Sequence, residues 1–141
     1  MSVNAGQRNI KNTEFNQKCY SVDSALDLAQ HTLKICSNDK IFLPQYKEFL
    51  TDRIVNLALD VYLDAYSANR IRVKSRSEAI KRNSLQIRAI LGCDKLIGLI
   101  NVARRTFHLR NGKVDYWVRK TIETRDLLKN WNKSNNDSYG M

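Results

Sequence analysis

The chain has 141 residues, of which 43% are hydrophobic, and it carries 24 Lys and Arg against 14 Asp and Glu, a formal net charge of +10. This size and composition predict one domain with a real core, and no stretch approaches the ~20 apolar residues that a membrane span requires. The polar N-terminal stretch lacks the apolar block of a signal peptide, so we expect a cytoplasmic protein without a membrane partner.

The first half of the chain predicts a polar arm and two helices. Residues 1–18 are mostly polar and predict a flexible arm. From Ser21, apolar residues recur at spacings of three and four as far as Cys36, which predicts a first helix ending near "SNDK". Pro44 suits a first helical turn, and the apolar face that follows it predicts a long second helix.

A third helix is predicted from about Val73 to Phe107. Its first half is mostly polar, whereas its second half is apolar around much more than one face. A helix that is apolar nearly all round is buried on several sides, so part of this surface needs a cover beyond its own bundle. We therefore expect a homo-oligomer, with Ile87, Leu91 and Val102 at its interface.

The stretch "LRNG" predicts a turn in which Gly112 is available for positive φ. A fourth helix should run from Lys113 to about Trp131, with a disordered tail at 134–141. Its apolar face follows a three-four repeat through Val114, Trp117, Thr121, Thr124, Leu128 and Trp131. The two tryptophans are expected to be core or interface anchors, and both are included in the predicted oligomer interface.

Four helices with short connections predict an all-α fold. The default architecture for such a chain is an up-down-up-down four-helix bundle, here over residues 19–133.

The positive charge is concentrated in one part of the chain. Between Arg70 and Lys120 there are 14 basic and three acidic residues, whereas the segments before and after are nearly balanced. Such a concentration predicts a positive field over part of the surface, which favours nucleic acid (RNA or DNA), an acidic protein or an anionic membrane as a partner.

A basic stripe is predicted on the third helix. Lys74, Lys81, Arg88 and Lys95 follow one another in steps of seven, and each such step drifts only ~20° around a helix. A purely solvating face normally mixes charges of both signs, yet Glu78 is the only acid in the stretch that could pair at a spacing of four. The predicted nucleic-acid-binding residues are Arg70, Arg72, Lys74, Arg76, Lys81, Arg88, Lys95, Arg104, Arg105 and Arg110.

The sequence contains little that indicates catalysis or metal binding. Neither of the two histidines, His31 and His108, has a second histidine three to five residues away. The three cysteines, Cys19, Cys36 and Cys93, are far apart and predict neither a disulfide framework nor a zinc site. Glycine-rich phosphate-binding motifs are absent. We expect a protein that is not an enzyme and uses no cofactor and no metal.

Two stretches carry a family resemblance: "SRSEAIKRNSLQIRAIL" and "LIGLINVARRTFHLRNGKVDYWVRKTIETRDLLKNWNKS". Over roughly residues 40–133 the chain resembles a group of small four-helix-bundle proteins. This group includes the accessory variability proteins of diversity-generating retroelements and proteins encoded in intervening sequences of bacterial 23S ribosomal RNA genes. The resemblance implies a pentameric ring with a positive surface. In retroelements it implies an adaptor for a reverse transcriptase and its template RNA.

The sequence therefore predicts a non-enzymatic, nucleic-acid-binding oligomeric bundle, and the resemblance implies that it is an accessory subunit to a reverse transcriptase. Two alternatives keep the fold. One is a bundle that binds ribosomal RNA without a polymerase, and the other is a protein-interaction module whose basic face meets an acidic partner.

Overall fold

In the computed structural model, the structure describes residues 5–141, with side chains from Tyr20 onward. Four α-helices account for most of this part of the chain, which contains no strand. They are α1 (Ala5–Cys36), α2 (Asp52–Arg70), α3 (Arg76–Phe107) and α4 (Asn111–Ser138). None of these helices combines the length and apolar character that a membrane crossing needs.

The four helices pack as a bundle in which each one touches two neighbours. α1 packs against α2 and α4, and α3 packs against the same two helices. Between α1 and α4 the contacts follow a regular order: Ser21 bonds to the Leu127 carbonyl, Ser24 to Thr124, and Trp117 to Thr32. The all-helical prediction is confirmed.

Pro44 lies where its chemistry suits it, at the start of a short 3₁₀ turn, Pro44–Tyr46. Its fixed φ and missing N–H are tolerated in a first helical turn. A π-helical segment, Lys47–Thr51, continues directly into α2.

The core is divided into two clusters along the bundle. The larger surrounds Phe42, Phe107 and Trp117, near the connections α1–α2 and α3–α4. The second is built from smaller side chains around Ala65 and Ala89, with Trp131 as its large member. All six positions of the predicted apolar repeat on α4 are buried, so the three-four spacing identified this face correctly.

Two cysteines lie in these clusters as free thiols, Cys36 and Cys93. Burial raises the pKa of each thiol to about 12, and Asp94 adds to the effect on Cys93. Both side chains therefore act as small hydrophobic core residues.

The structure moves two helix boundaries. α1 begins at Ala5, ahead of the predicted start at Ser21. The predicted arm, residues 1–18, lies where no side chain is described, and residues 1–4 lie outside the described residues altogether, so its flexibility stays a prediction.

α4 continues to Ser138, beyond the predicted end at Trp131, and so includes most of the predicted tail. The reason is a set of tertiary contacts. Asn135 is buried and donates from Nδ2 to the Ala79 carbonyl at 3.0 Å. Beyond the helix, the Tyr139 hydroxyl donates to the Val73 carbonyl at 3.2 Å. Contacts with α3 and the segment before it thus hold the asparagine-rich end of α4 in place.

The turn between α3 and α4 also differs from the prediction. Positive φ occurs at His108, with φ 51° and ψ 51°, while Gly112 lies within α4. The N–H groups of His108 and Leu109 both reach the Arg104 carbonyl, which caps the C-terminus of α3.

Trp117 and Trp131 are core residues of a single chain, which corrects their assignment to an oligomer interface. Trp117 donates from Nε1 to Thr32 Oγ1 at 3.0 Å and is fully buried. Trp131 is also buried, with the Arg82 guanidinium 5.7 Å from its ring centroid. Neither side chain leaves a surface for a second subunit.

Candidate nucleic-acid interface

Four predicted binding residues surround the connection between α2 and α3. Residues 71–75 belong to no helix, and the backbone is extended at both ends of this segment, at Ile71 and at Ser75. Ile71 and Val73 are partly buried, while Arg72 and Lys74 are exposed. We call the exposed set the α2–α3 cluster: Arg70, Arg72, Lys74 and Arg76.

The backbone under this cluster is fixed by neighbouring side chains. Arg82 donates from its guanidinium to the carbonyls of Ala68 and Ile71 and so closes the C-terminus of α2. Glu78 Oε1 accepts from the Lys74 N–H at 3.0 Å and from the Ser75 hydroxyl at 3.1 Å. These bonds resemble a capping box at the start of α3. Glu78 and Arg82 thus have structural roles within the basic stretch.

The predicted stripe on α3 continues from this cluster, and Lys81, Arg88 and Lys95 are all exposed. The fold, however, places two acids of α2 beside it. Asp60, Asp64, Arg88 and Lys95 line one groove of about 200 Å³ between α2 and α3. Arg88 Nη2 lies 3.8 Å from Asp64 Oδ1, with 69% of the Arg88 side chain exposed against 18% of the Asp64 side chain. The middle of the stripe is therefore less positive than α3 alone suggests.

Burial raises the pKa of the Asp64 carboxyl, Arg88 opposes this rise, and Asp60 adds to it. The carboxylate thus costs free energy to desolvate, and Arg88 offsets part of that cost.

A second cluster of cations lies at the opposite end of α3. Arg104 and Arg105 border an open depression with Val102, and Arg104 Nη2 donates to Asn111 Oδ1 at 3.0 Å. We call the full set the α3–α4 cluster: Lys40, Arg104, Arg105, Arg110 and Lys113.

Lys40 belongs to this cluster only because of the fold. It comes from the connection between α1 and α2, and it lines a cavity of about 500 Å³ together with Arg110 and Lys113. The sequence gives no sign that Lys40 lies near residues so distant along the chain, so the predicted binding residues did not include it.

The two clusters are separate electrostatic sites. α3 has 32 residues, and at ~1.5 Å per residue its ends lie roughly 45 Å apart. This distance is several times the Debye length of ~8 Å at physiological salt. Each cluster can therefore bind an anion with little influence from the other.

The predicted interface residues of α3 point away from the core. Ile87, Leu91 and Val102 are all exposed, while Leu96 and Ala103 on the other side of the helix are fully buried. Ile80 extends the same outer face at a spacing of seven from Ile87. α3 thus carries an apolar strip on its outer surface, bordered by the basic stripe.

In the described part of the chain, His, Cys, Asp and Glu side chains form no group of three or more that could hold a metal ion.

Comparisons of the chain with protein-family models, curated proteins and solved structures each found no match. The family resemblance noted from the sequence therefore stays a prediction, and the functional argument depends on the surface just described.

Proposed function

We propose that the protein is a non-enzymatic nucleic-acid-binding bundle that serves as an adaptor between a reverse transcriptase and its template RNA. The observation that carries the nucleic-acid part is the pair of exposed cation clusters at the two ends of α3. Lysine and arginine side chains that neutralise phosphates bind largely without regard to sequence. Two clusters separated by several Debye lengths also suit a protein that holds two partners at once.

We further propose that the helices alternate in direction and that the bundle assembles as a ring of identical subunits. The reverse order of the α1–α4 contacts supports the up-down-up-down arrangement: Ser21 meets Leu127, whereas Thr32 meets Trp117. The outward apolar strip of α3 supports an interface. A count of five subunits rests on the family resemblance alone.

The nucleic-acid proposal is tested by the salt dependence of RNA binding, measured by fluorescence anisotropy on a mixed-sequence single strand. The variant Arg105→Gln/Arg110→Gln removes two exposed cations of the α3–α4 cluster. Its slope of log affinity against log salt should be shallower than that of the wild type by about 1.4, since each phosphate contact on a single strand contributes about 0.7.

The matched control is Lys47→Gln/Lys133→Gln. It removes the same charge from two lysines that pair with acids, Lys47 with Asp52 at 3.2 Å and Lys133 with Asp137 at 3.0 Å. Its slope should equal that of the wild type. Equal slopes for all three proteins would show that the α3–α4 cluster is only a solvated surface.

The adaptor part is tested by reversing the charge of one cluster at a time in pull-downs with the cognate reverse transcriptase. Reversal of the α3–α4 cluster should release RNA and keep the polymerase, and reversal of the α2–α3 cluster should do the opposite. RNA binding without any polymerase capture would favour the ribosomal-RNA alternative. Loss of both partners with either variant would contradict a two-ended adaptor.

A further inference from the structure

An aromatic cavity of about 410 Å³ lies between α1, the α1–α2 connection and the first turns of α4. Its lining includes His31, Phe42, Tyr116 and Trp117. The Phe42 and Trp117 rings are buried, with centroids 6.3 Å apart, whereas Tyr116 is nearly half exposed. Ligand pockets in proteins commonly start at about 300 Å³ and combine such apolar walls with a few polar groups.

Two polar groups of this cavity differ in whether they have a hydrogen-bond partner. The Trp117 N–H is already committed to Thr32 Oγ1. His31 Nε2, in contrast, is buried without a hydrogen-bond partner among residues 20–141. Burial lowers the pKa of His31, and Lys120 and Lys34 lower it further, so the ring is neutral at neutral pH. A buried polar atom of this kind calls for a partner.

The surroundings of the cavity are basic. Lys34 and Lys113 line it, and Lys113 also lines the neighbouring cavity with Lys40 and Arg110. Neither lining contains an Asp or Glu among the described residues. The two cavities are neighbours, because Ile41 and Leu109 also line both. The site therefore fits a ligand with a flat aromatic part and flanking negative charges.

We propose that this cavity binds one unstacked base of a single-stranded nucleic acid, while the flanking phosphates contact Lys34, Lys40, Arg110 and Lys113. The inference rests on the proposed nucleic-acid-binding function and deepens it, since it adds a base site to the α3–α4 cluster. The cavity has room for one nucleotide. Tyr116, whose ring centroid lies 4.9 Å from that of His31, is the exposed aromatic against which the base stacks.

A base site gives the protein a preference that the cation clusters alone do not supply. Lys and Arg side chains bind the same phosphate groups in single strands and in duplexes. A base, in contrast, can enter an aromatic pocket only when it is neither paired nor stacked on its neighbours. We therefore expect single-stranded segments to bind at the α3–α4 end of the bundle.

The test compares Tyr116→Ala with Tyr66→Ala, a tyrosine of α2 with matched exposure, 44% against 46% for Tyr116. Both variants are titrated with a mixed-sequence single-stranded RNA and with its blunt duplex. Tyr116→Ala should weaken single-strand binding about tenfold and leave duplex binding unchanged, as expected for one stacked base. Tyr116→Phe and Tyr66→Ala should both bind the single strand and the duplex with the affinity of the wild type.

A second readout does not depend on affinity. A single strand containing 4-thiouridine, irradiated on the full-length protein, should crosslink to the tryptic peptide 114–119, which contains Tyr116 and Trp117. Normal single-strand affinity in Tyr116→Ala, or crosslinks confined to other peptides, would overturn the base site and leave the cation clusters untouched. Failure of the wild type to bind either RNA would instead contradict the proposed function itself.

Discussion

Gly92 on α3 and Val61 on α2 meet so closely that a Cβ atom on Gly92 would lie 2.7 Å from Val61 Cγ2. This distance is well inside the ~3.5 Å at which two carbon atoms attract each other best. The absence of a side chain at Gly92 therefore sets how near α2 and α3 approach, in the part of the bundle where the core is made of small residues.

Gly92→Ala should destabilise the protein by about 1–3 kcal/mol, because overpacking outweighs the gain in helix propensity. The measurement is urea unfolding of the single variant, of Val61→Ala, and of the double variant. Removing Val61 Cγ2 should relieve the clash, so Val61→Ala should cost less in the Gly92→Ala background than in the wild type. Gly98→Ala is the control: apart from its chain neighbours and the backbone of its own helix, nothing lies within 4 Å of its Cβ position, and it should stabilise by up to about 1 kcal/mol. A Gly92→Ala variant as stable as Gly98→Ala would refute the close contact.

His108→Gly should raise the free energy of unfolding by up to about 1 kcal/mol. His108 caps α3 in the left-handed region, which is costly for a residue with a Cβ and nearly free for glycine. His108→Val, with a branched Cβ, should lower the free energy of unfolding. Thermal unfolding of the three proteins gives the order directly, and a His108→Gly protein that melts below the wild type would contradict this account of the turn.

His31 should make stability fall in mild acid. Its folded-state pKa is lowered from 6.5 by burial, then by Lys120 and Lys34, so the unfolded chain binds the proton more readily. The contribution of the neutral ring is complete above the unfolded pKa and is lost as the pH falls below it. The loss of unfolding free energy between neutral pH and about pH 5 should be smaller in His31→Gln than in the wild type. Identical losses in the two proteins would show that His31 does not titrate differently on folding.

Asp64→Asn should strengthen RNA binding roughly twofold to fivefold at low salt, since a charge pair about 4 Å apart in water is worth ~1 kcal/mol. The change removes the acid that pairs with Arg88 and keeps the shape of the side chain. Asp23→Asn removes an equal charge from the exposed side of α1 and serves as the control. If the two variants bind RNA equally well, Arg88 is not part of the binding surface.

Leu91→Lys should dissociate the homo-oligomer. The wild type should scatter light as a multiple of 16.4 kDa, and the variant as a monomer, because an added charge makes burial of the apolar strip costly. Leu63→Lys on α2 is the matched control, with 52% exposure against 51% for Leu91. If the wild type is a monomer, the predicted α3 interface does not exist. If only Leu63→Lys dissociates the oligomer, the interface lies on α2 and not on α3.

The four helices and the buried face of α4 were readable from the sequence because they depend on local periodicity. Residues three and four apart share a helix face wherever the helix lies, so the repeat from Val114 to Trp131 predicted burial without knowledge of its neighbours. The same logic placed Ile87, Leu91 and Val102 on the outside of α3.

Contacts between distant residues were decided by the tertiary structure alone. Asn132 and Asn135 lie in a stretch whose composition suggests a frayed end, because asparagine favours turns and caps over helix interiors. In the bundle Asn132 Nδ2 donates to Asn83 Oδ1 at 2.8 Å and to Gln86 Oε1 at 2.7 Å, partners that local spacing cannot reveal.

The candidate site shows the same division. The excess of Lys and Arg from residue 70 to residue 120 is a property of the sequence, and so is the spacing of the α3 stripe. The fold alone brought Asp64 against Arg88 and placed Lys40 beside Arg110. Charges interact through space and not along the chain, so the sign of a surface can be known only when every helix that borders it is in place.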